Sequence, residues 1–161
     1  RCPWATTGRT HHRTPNIITS LELDPAEMEK RNIHLQKKYA EIEENEVRFE
    51  ELHCEDAEYL IVAFGSCARI AQKAMEIARE EGIKVGLLRP ITLWPFPSKA
   101  IAARAAQVKG ILTVELNAGQ MVEDVRLAVE CKVPVEHFGR LGGIVPDPDE
   151  VITALKEKLI K

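Results

Sequence analysis

Apolar runs alternate with amphipathic stretches from residue 55 to the C-terminus, and this alternation constrains the fold more than any other feature of the sequence. Residues 59–64 are continuously apolar, which is typical of a strand covered on both faces. Residues 83–88, 111–115 and 133–138 predict three further strands. Strands that alternate with helices are typical of a mainly parallel sheet with helices on both sides. We therefore predict a three-layer α/β/α fold with right-handed crossovers.

The predicted helices between these strands have recognisable start and stop signals. Gly82 is expected to end a helix that begins near residue 67, because glycine is favoured just beyond a helix C-terminus. Ser66, Ser98 and Asp149 are expected to be N-caps of three helices, since their side-chain oxygens can accept from free backbone N–H groups. A further helix is expected before residue 130.

The N-terminal third of the chain has a different character. Residues 1–24 show no periodicity, and Asp24 followed by Pro25 predicts the start of a long, highly charged helix. Residues 47–52 predict a short edge strand. We predict two regions: residues 1–46 as a linker and helix leading from an upstream domain, and residues 47–161 as the α/β domain. The start at Arg1 without a methionine suggests a piece of a longer polypeptide.

Composition narrows the functional class. A net charge of −3 and a pI near 6.0 give no reason to expect binding to nucleic acid or to a membrane. No apolar run approaches the roughly 18 residues that a spanning helix needs. The four cysteines, at positions 2, 54, 67 and 131, form no CxxC pair, so we expect no metal site and a reducing, cytoplasmic location. His11 and His12 are expected to lie in a solvated loop.

A stiff aromatic loop follows the strand that ends near Arg89. Prolines 90, 95 and 97 fix the backbone, and the loop carries Trp94 and Phe96. Such a loop either folds back on its own domain or docks on another domain or subunit. We favour docking, with Arg89, Trp94 and Phe96 at the interface, because aromatic side chains on rigid loops are good interface anchors.

Ligands of parallel α/β sheets gather at the carboxyl ends of the strands. Two candidate positions for an anion lie there: Ser66, after the first buried strand, and Asn117 with Gly119, after the third. No phosphate-binding glycine motif accompanies them, so they are weak candidates for cofactor binding, and a capping role for Ser66 is the simpler interpretation. Cys67 could be a nucleophile at a helix start, but no base lies near it in sequence, so a packed cysteine is favoured.

A carboxylate at the end of a buried strand must find a partner. Arg89, at the end of a neighbouring predicted strand, is our candidate partner for Glu115. A structural ion pair between them is favoured over general acid–base chemistry. The loop of residues 139–143 carries Arg140 among three glycines, and we expect a turn there, with contact to a cofactor phosphate as the alternative. These residues form no complete catalytic site, so we predict no catalytic residue.

Three segments, in order and at natural spacing, resemble the α subunit of the 2-oxoacid:ferredoxin oxidoreductases, especially the 2-oxoglutarate and 2-ketoisovalerate branches. They are residues 64–69 (FGSCAR), residues 82–97 (GIKVGLLRPITLWPFP) and residues 115–121 (ELNAGQM). The resemblance covers most of residues 55–160. It implies a fold like the transketolase C-terminal domain, with a five-stranded mixed sheet whose first strand is antiparallel at the edge.

The resemblance also implies an enzyme that oxidatively decarboxylates a 2-oxoacid, transfers the acyl group to coenzyme A and passes electrons to ferredoxin. Thiamine diphosphate, Mg²⁺ and iron–sulfur clusters are expected elsewhere in the complex, with no cofactor bound by this chain. The implied partners are a thiamine-binding β subunit, γ and ferredoxin-like subunits, and a second copy of the subunit.

We therefore predict a C-terminal structural and assembly domain that is inactive by itself. The alternatives are a module that binds an anion or nucleotide near Ser66 and residues 117–119, and a free-standing hydrolase that uses Cys67.

Overall fold

The computed structural model describes residues 8 and 20–160. The predictions on Cys2, His11 and His12 lie outside the described residues. The chain forms two compact units, Arg1–Tyr39 and Ala40–Lys161. The predicted division at residue 46 stays a prediction.

Helix α1 spans Pro25–Asn45, and none of its residues is buried. Its predicted N-cap is confirmed: Asp24 Oδ1 accepts hydrogen bonds from the backbone N–H groups of Ala26 at 2.8 Å and Glu27 at 3.1 Å. No helix in the described part of the chain is long and apolar enough to cross a membrane.

The second unit contains a five-stranded mixed sheet with the order β1-β3-β2-β4-β5. The strands are β1 Phe49–Leu52, β2 Tyr59–Ala63, β3 Val85–Pro90, β4 Ile111–Glu115 and β5 Val135–Gly139. Strand β1 runs antiparallel to β3 at one edge, and the other pairings are parallel. The predicted fold class is therefore confirmed, including its antiparallel edge strand.

Helices cover both faces of this sheet. They are α2 Gly65–Glu80, α3 Ser98–Ala105, α4 Met121–Val129 and α5 Pro148–Leu155, and a π-helical turn, Lys156–Ile160, follows α5. Alternate residues of β2 point to opposite faces: Ile61 packs in the core with α2 and α5, while Leu60 and Val62 pack with α3 and α4. One core lies on each face of the sheet, between the sheet and a helix layer, so the domain has three layers.

Three of the predicted caps are wrong. Helix α2 begins one residue before Ser66, and α3 begins at Ser98 itself, so neither serine lies at the N-cap, and neither helix has a side-chain cap. Helix α5 is capped by Asp147, not Asp149: Asp147 Oδ1 accepts from the N–H of Glu150 at 2.8 Å, and the Glu150 carboxylate accepts from the N–H of Asp147. This reciprocal pair satisfies two free donors, which is why the helix starts two residues earlier.

Candidate interface at the carboxyl ends of the strands

Glu115, the last residue of β4, is 1% exposed and caps helix α4 from inside the sheet. Its Oε2 accepts from the backbone N–H groups of Gln120 at 3.2 Å and Met121 at 2.8 Å, and its Oε1 accepts from that of Val122 at 3.0 Å. These are the donors that a helix start leaves free and that attract anions. The chain therefore supplies its own anion at this helix terminus.

The predicted ion pair between Arg89 and Glu115 is wrong. Arg89 lies on β3 and Glu115 on β4, and β2 separates these strands in the sheet. Arg89 instead faces Glu50 across the antiparallel β1–β3 pair, with 3.1 Å between Nη1 and Oε2. The acidic partner of Arg89 comes from an edge strand that precedes β3 in sequence and pairs with it.

His137 on β5 packs beside Glu115. Its Nδ1 lies 3.4 Å from Glu115 Oε1 and 3.2 Å from the hydroxyl oxygen of Thr113. Gly139 must be small here, because a Cβ atom would overlap the carbonyl oxygen of Asn117 and lie 2.7 Å from His137 Nε2. The histidine therefore helps to fill the space between the ends of β4 and β5. Sequence reasoning missed His137, since only the β4–β5 register places it next to Glu115.

The loops after β4 and β5 are joined to each other. The N–H of Arg140 donates to the carbonyl of Glu115 at 3.2 Å, and Asn117 Oδ1 accepts from the N–H of Gly119 at 2.7 Å. Gly119 has a φ of +113°, a conformation that side chains disfavour. Asn117 and Gly119 therefore build the loop, and the donors beside them at α4 already bind Glu115. Ser66 stands apart, exposed in the first turn of α2.

The cysteines lack the features of nucleophiles. Cys67 is buried, and its burial, followed by the negative charge of Glu115, raises the pKa of its thiol. Burial also raises the pKa of Cys54 to about 11. A nucleophilic cysteine needs the opposite shift. In residues 8 and 20–160, no three His, Cys, Asp or Glu side chains are grouped so that they could hold a metal ion.

The proline loop is fixed to the start of the sheet. The Thr92 hydroxyl donates to the carbonyl of Pro95 at 2.8 Å and accepts from the N–H of Arg48 at 3.0 Å. Phe96 is partly buried against the core beneath α3, whereas Trp94 is 54% exposed. The two aromatic side chains therefore differ: Phe96 holds the loop on its own domain, whereas about half of the Trp94 side chain is exposed.

Apolar side chains are concentrated on the loops that follow β3, β4 and β5, which we call the carboxyl-end rim (residues 91–97, 116–120 and 140–147). Seven of the large hydrophobic side chains that the structure leaves exposed lie there: Ile91, Leu93, Trp94, Leu116, Leu141, Ile144 and Val145. Concentrated exposed apolar surface marks an interaction site.

The fold is that of an α/β domain of the transketolase C-terminal type. Glu115 caps its helix α4, and exposed apolar side chains lie on its carboxyl-end rim. Residues 57–151, more than half of the chain, match the family "Pyruvate:ferredoxin oxidoreductase core domain II". The chain belongs to this family.

Its relatives include subunit VorB of the ketoisovalerate oxidoreductase of Methanothermobacter thermautotrophicus, with 47% identity over 96% of this chain and 43% of that subunit. The chain thus spans less than half the length of this relative. A structure of the 2-oxoglutarate:ferredoxin oxidoreductase from Magnetococcus marinus, with 2-oxoglutarate, coenzyme A and succinyl-CoA bound, has a TM-score of 0.72 and 25% identity; the match covers 84% of this chain and 24% of that one. A split gene transketolase shares the fold, with a TM-score of 0.60 and 20% identity over 70% of this chain and 41% of the other.

Proposed function

We propose that this chain is the C-terminal structural and assembly domain of a 2-oxoacid:ferredoxin oxidoreductase subunit. The complete enzyme would oxidise a 2-oxoacid, transfer the acyl group to coenzyme A and reduce ferredoxin. The observation that carries this proposal is the 47% identity to the VorB subunit along nearly the whole of this chain.

In this proposal the cofactors belong to other parts of the complex, which would lie in the cytoplasm. When bound there, thiamine diphosphate would supply carbanion stabilisation, and iron–sulfur clusters would supply electron transfer. The contribution of this chain is to hold the thiamine-binding parts of the complex in position. Self-capping of α4 by Glu115 supports such a role, because it removes donors that a diphosphate would use.

The carboxyl-end rim is the surface that we assign to this contact. Its exposed apolar side chains are carried by loops that hydrogen bonds fix to each other or to the sheet, so little conformational entropy is lost on docking. The partners would be the thiamine-binding β subunit, the γ and ferredoxin-like subunits, or a second copy of the subunit. Trp94 is the anchor that we expect to matter most.

An activity assay tests this proposal directly. We expect the 161-residue chain alone to reduce no ferredoxin with 2-ketoisovalerate or 2-oxoglutarate and coenzyme A. The assembled oxidoreductase that carries this domain in its parent subunit should be active, and deletion of the domain should abolish assembly. Turnover by the chain alone, or a fully assembled and active enzyme without the domain, would contradict the proposal.

Binding of a nucleotide or another anion is the second candidate, and the exposed Ser66 at the start of α2 favours it. Calorimetric titration with coenzyme A, ADP and thiamine diphosphate separates the two. The assembly role predicts no heat of binding at micromolar ligand, whereas the binding role predicts saturable heat that Ser66→Ala diminishes.

A further inference from the structure

An open apolar groove of about 970 Å³ lies within the second unit, beside the proline loop. Aromatic and proline side chains and the end of α1 line it. The lining residues are Ala40, Glu43, Glu44, Val47, Phe49, Ala100 and the run from Trp94 to Lys99. A groove of this size is large enough for a short peptide segment.

The charges on this groove are unbalanced. Glu43 and Glu44 lie in the last turn of α1, which has no basic residue, and neither is in an ion pair within the described part of the chain. A helix C-terminus carries partial negative charge, so two carboxylates there are unfavourable and a nearby cation would be stabilising. Lys99 is the single cation among the lining residues. The groove therefore carries an excess of negative charge beside an exposed indole.

We infer that this groove binds a cationic segment of a partner protein that also carries apolar side chains. The apolar side chains of the segment would pack on Phe49 and the prolines of the loop. Its arginine or lysine would lie over the face of Trp94, within reach of Glu43 and Glu44, where cation–π attraction and charge pairing act together. This inference rests on the proposed function and deepens it, because the groove shares residues 94–97 with the carboxyl-end rim. Peptide binding is measured without the rest of the complex, so the two proposals can fail separately.

A second copy of this chain fits the groove less well. Phe49 belongs to β1, which is the edge of the sheet and continues with Glu50 and Glu51. These carboxylates are already paired with Arg89 and Arg104, and pairing of two such strands about a two-fold axis would crowd these ion pairs, which is unfavourable. The groove would also meet a copy with the same excess of negative charge.

Peptide titration of the full chain tests the inference. The probes are two acetylated hexapeptide amides with the repeats Pro-Leu-Arg and Pro-Leu-Glu, and the readout is the indole N–H signal of Trp94 in ¹⁵N-correlated spectra. We expect the arginine peptide to shift this signal and to bind about tenfold more tightly than the glutamate peptide. The difference in affinity between the two peptides should decrease as the salt concentration is raised from about 0.05 to 0.5 M, because salt screens the exposed carboxylates of the groove.

Paired substitutions make the test specific. Glu43→Gln combined with Glu44→Gln should weaken binding of the arginine peptide about tenfold. Glu29→Gln combined with Glu41→Gln, on the same helix but not among the lining residues, should leave its affinity unchanged. The inference would be overturned if both pairs of substitutions weakened peptide binding equally or if the two peptides bound with equal affinity. It would also be overturned if millimolar peptide did not shift the Trp94 indole signal. A concentration-dependent dimer that Trp94→Ala abolishes would overturn it as well, because the occupant would then be a second copy.

Discussion

At the scale of single residues, Glu115 is the side chain that organises the carboxyl end of the sheet. One buried carboxylate accepts three backbone N–H groups of the loop and first turn that follow it. Charge-assisted bonds of this kind are stronger than neutral ones, and a buried donor that loses its acceptor is costly. The position of the loop that carries Asn117 and Gly119 therefore depends on this side chain.

Glu115→Gln should lower the free energy of unfolding by about 2 kcal/mol, because the amide has one acceptor oxygen for three donors and brings an N–H₂ group towards them. Urea denaturation at pH 7 measures the change. Glu123→Gln, an exposed carboxylate in the first turn of the same helix, is the control and should change stability by less than about 0.5 kcal/mol. Equal effects of the two substitutions would show that the buried capping bonds contribute little.

At the scale of secondary-structure elements, the edge strand β1 is fastened to the rest of the domain by ion pairs. Arg104 of α3 binds the Glu51 carboxylate through Nε at 2.9 Å and Nη2 at 2.6 Å, and the two side chains are 20% and 23% exposed. The hydrogen bond from Arg104 lowers the pKa of Glu51 below its usual value. The pair therefore joins the antiparallel strand to the helix layer on one face.

The stabilisation from this pair should disappear in acid. The folded pKa of Glu51 is lower than its unfolded pKa, so the contribution is complete above the unfolded value, near 4.3, and is lost as pH falls through the folded value. We expect Glu51→Gln to cost about 1 kcal/mol at pH 7 and progressively less below about pH 4. Denaturation curves at several pH values test this. Glu157→Gln, which removes an exposed carboxylate elsewhere, should give a small, pH-independent change; a constant cost for Glu51→Gln would count against the pair.

At the scale of the whole molecule, the exposed apolar side chains of the carboxyl-end rim lie at the edge where the loops of a parallel sheet gather. A chain with this surface is expected to be stable alone and to be used in an assembly. Trp94 is 54% exposed and lies outside the two core clusters, whereas Phe96 packs against one of them. A substitution at Trp94 can therefore test assembly with little effect on the stability of the domain.

Trp94→Ala should weaken association with the partner subunit about tenfold or more and lower the Tm of the isolated chain by less than about 2 °C, because an exposed anchor contributes to binding more than to folding. Pull-down affinity and thermal denaturation are the two measurements. Leu127→Ala, which removes a side chain 77% exposed on α4, is the control and should affect neither. A large fall in Tm with unchanged association would assign Trp94 to its own domain.

The sequence alone determined the elements and their order. Continuous apolar runs predicted β2 and β4, the Asp24–Pro25 pair predicted the start of α1, and the alternating segment predicted the edge strand, because periodicity and capping are local properties of the chain. The segments around residues 64, 90 and 117 were specific enough to indicate the family, which the match over residues 57–151 confirms.

Tertiary structure decided which residues meet. Arg89 and Glu115 both end buried strands, yet the order β1-β3-β2-β4-β5 places β2 between them, so Glu50 and three backbone N–H groups become the partners. His137 reaches Glu115 only through the β4–β5 register, and the groove at Trp94 brings together residues about 50 positions apart in sequence. Strand order and register are set by burial over the whole sheet, and so no local pattern in the sequence contains them.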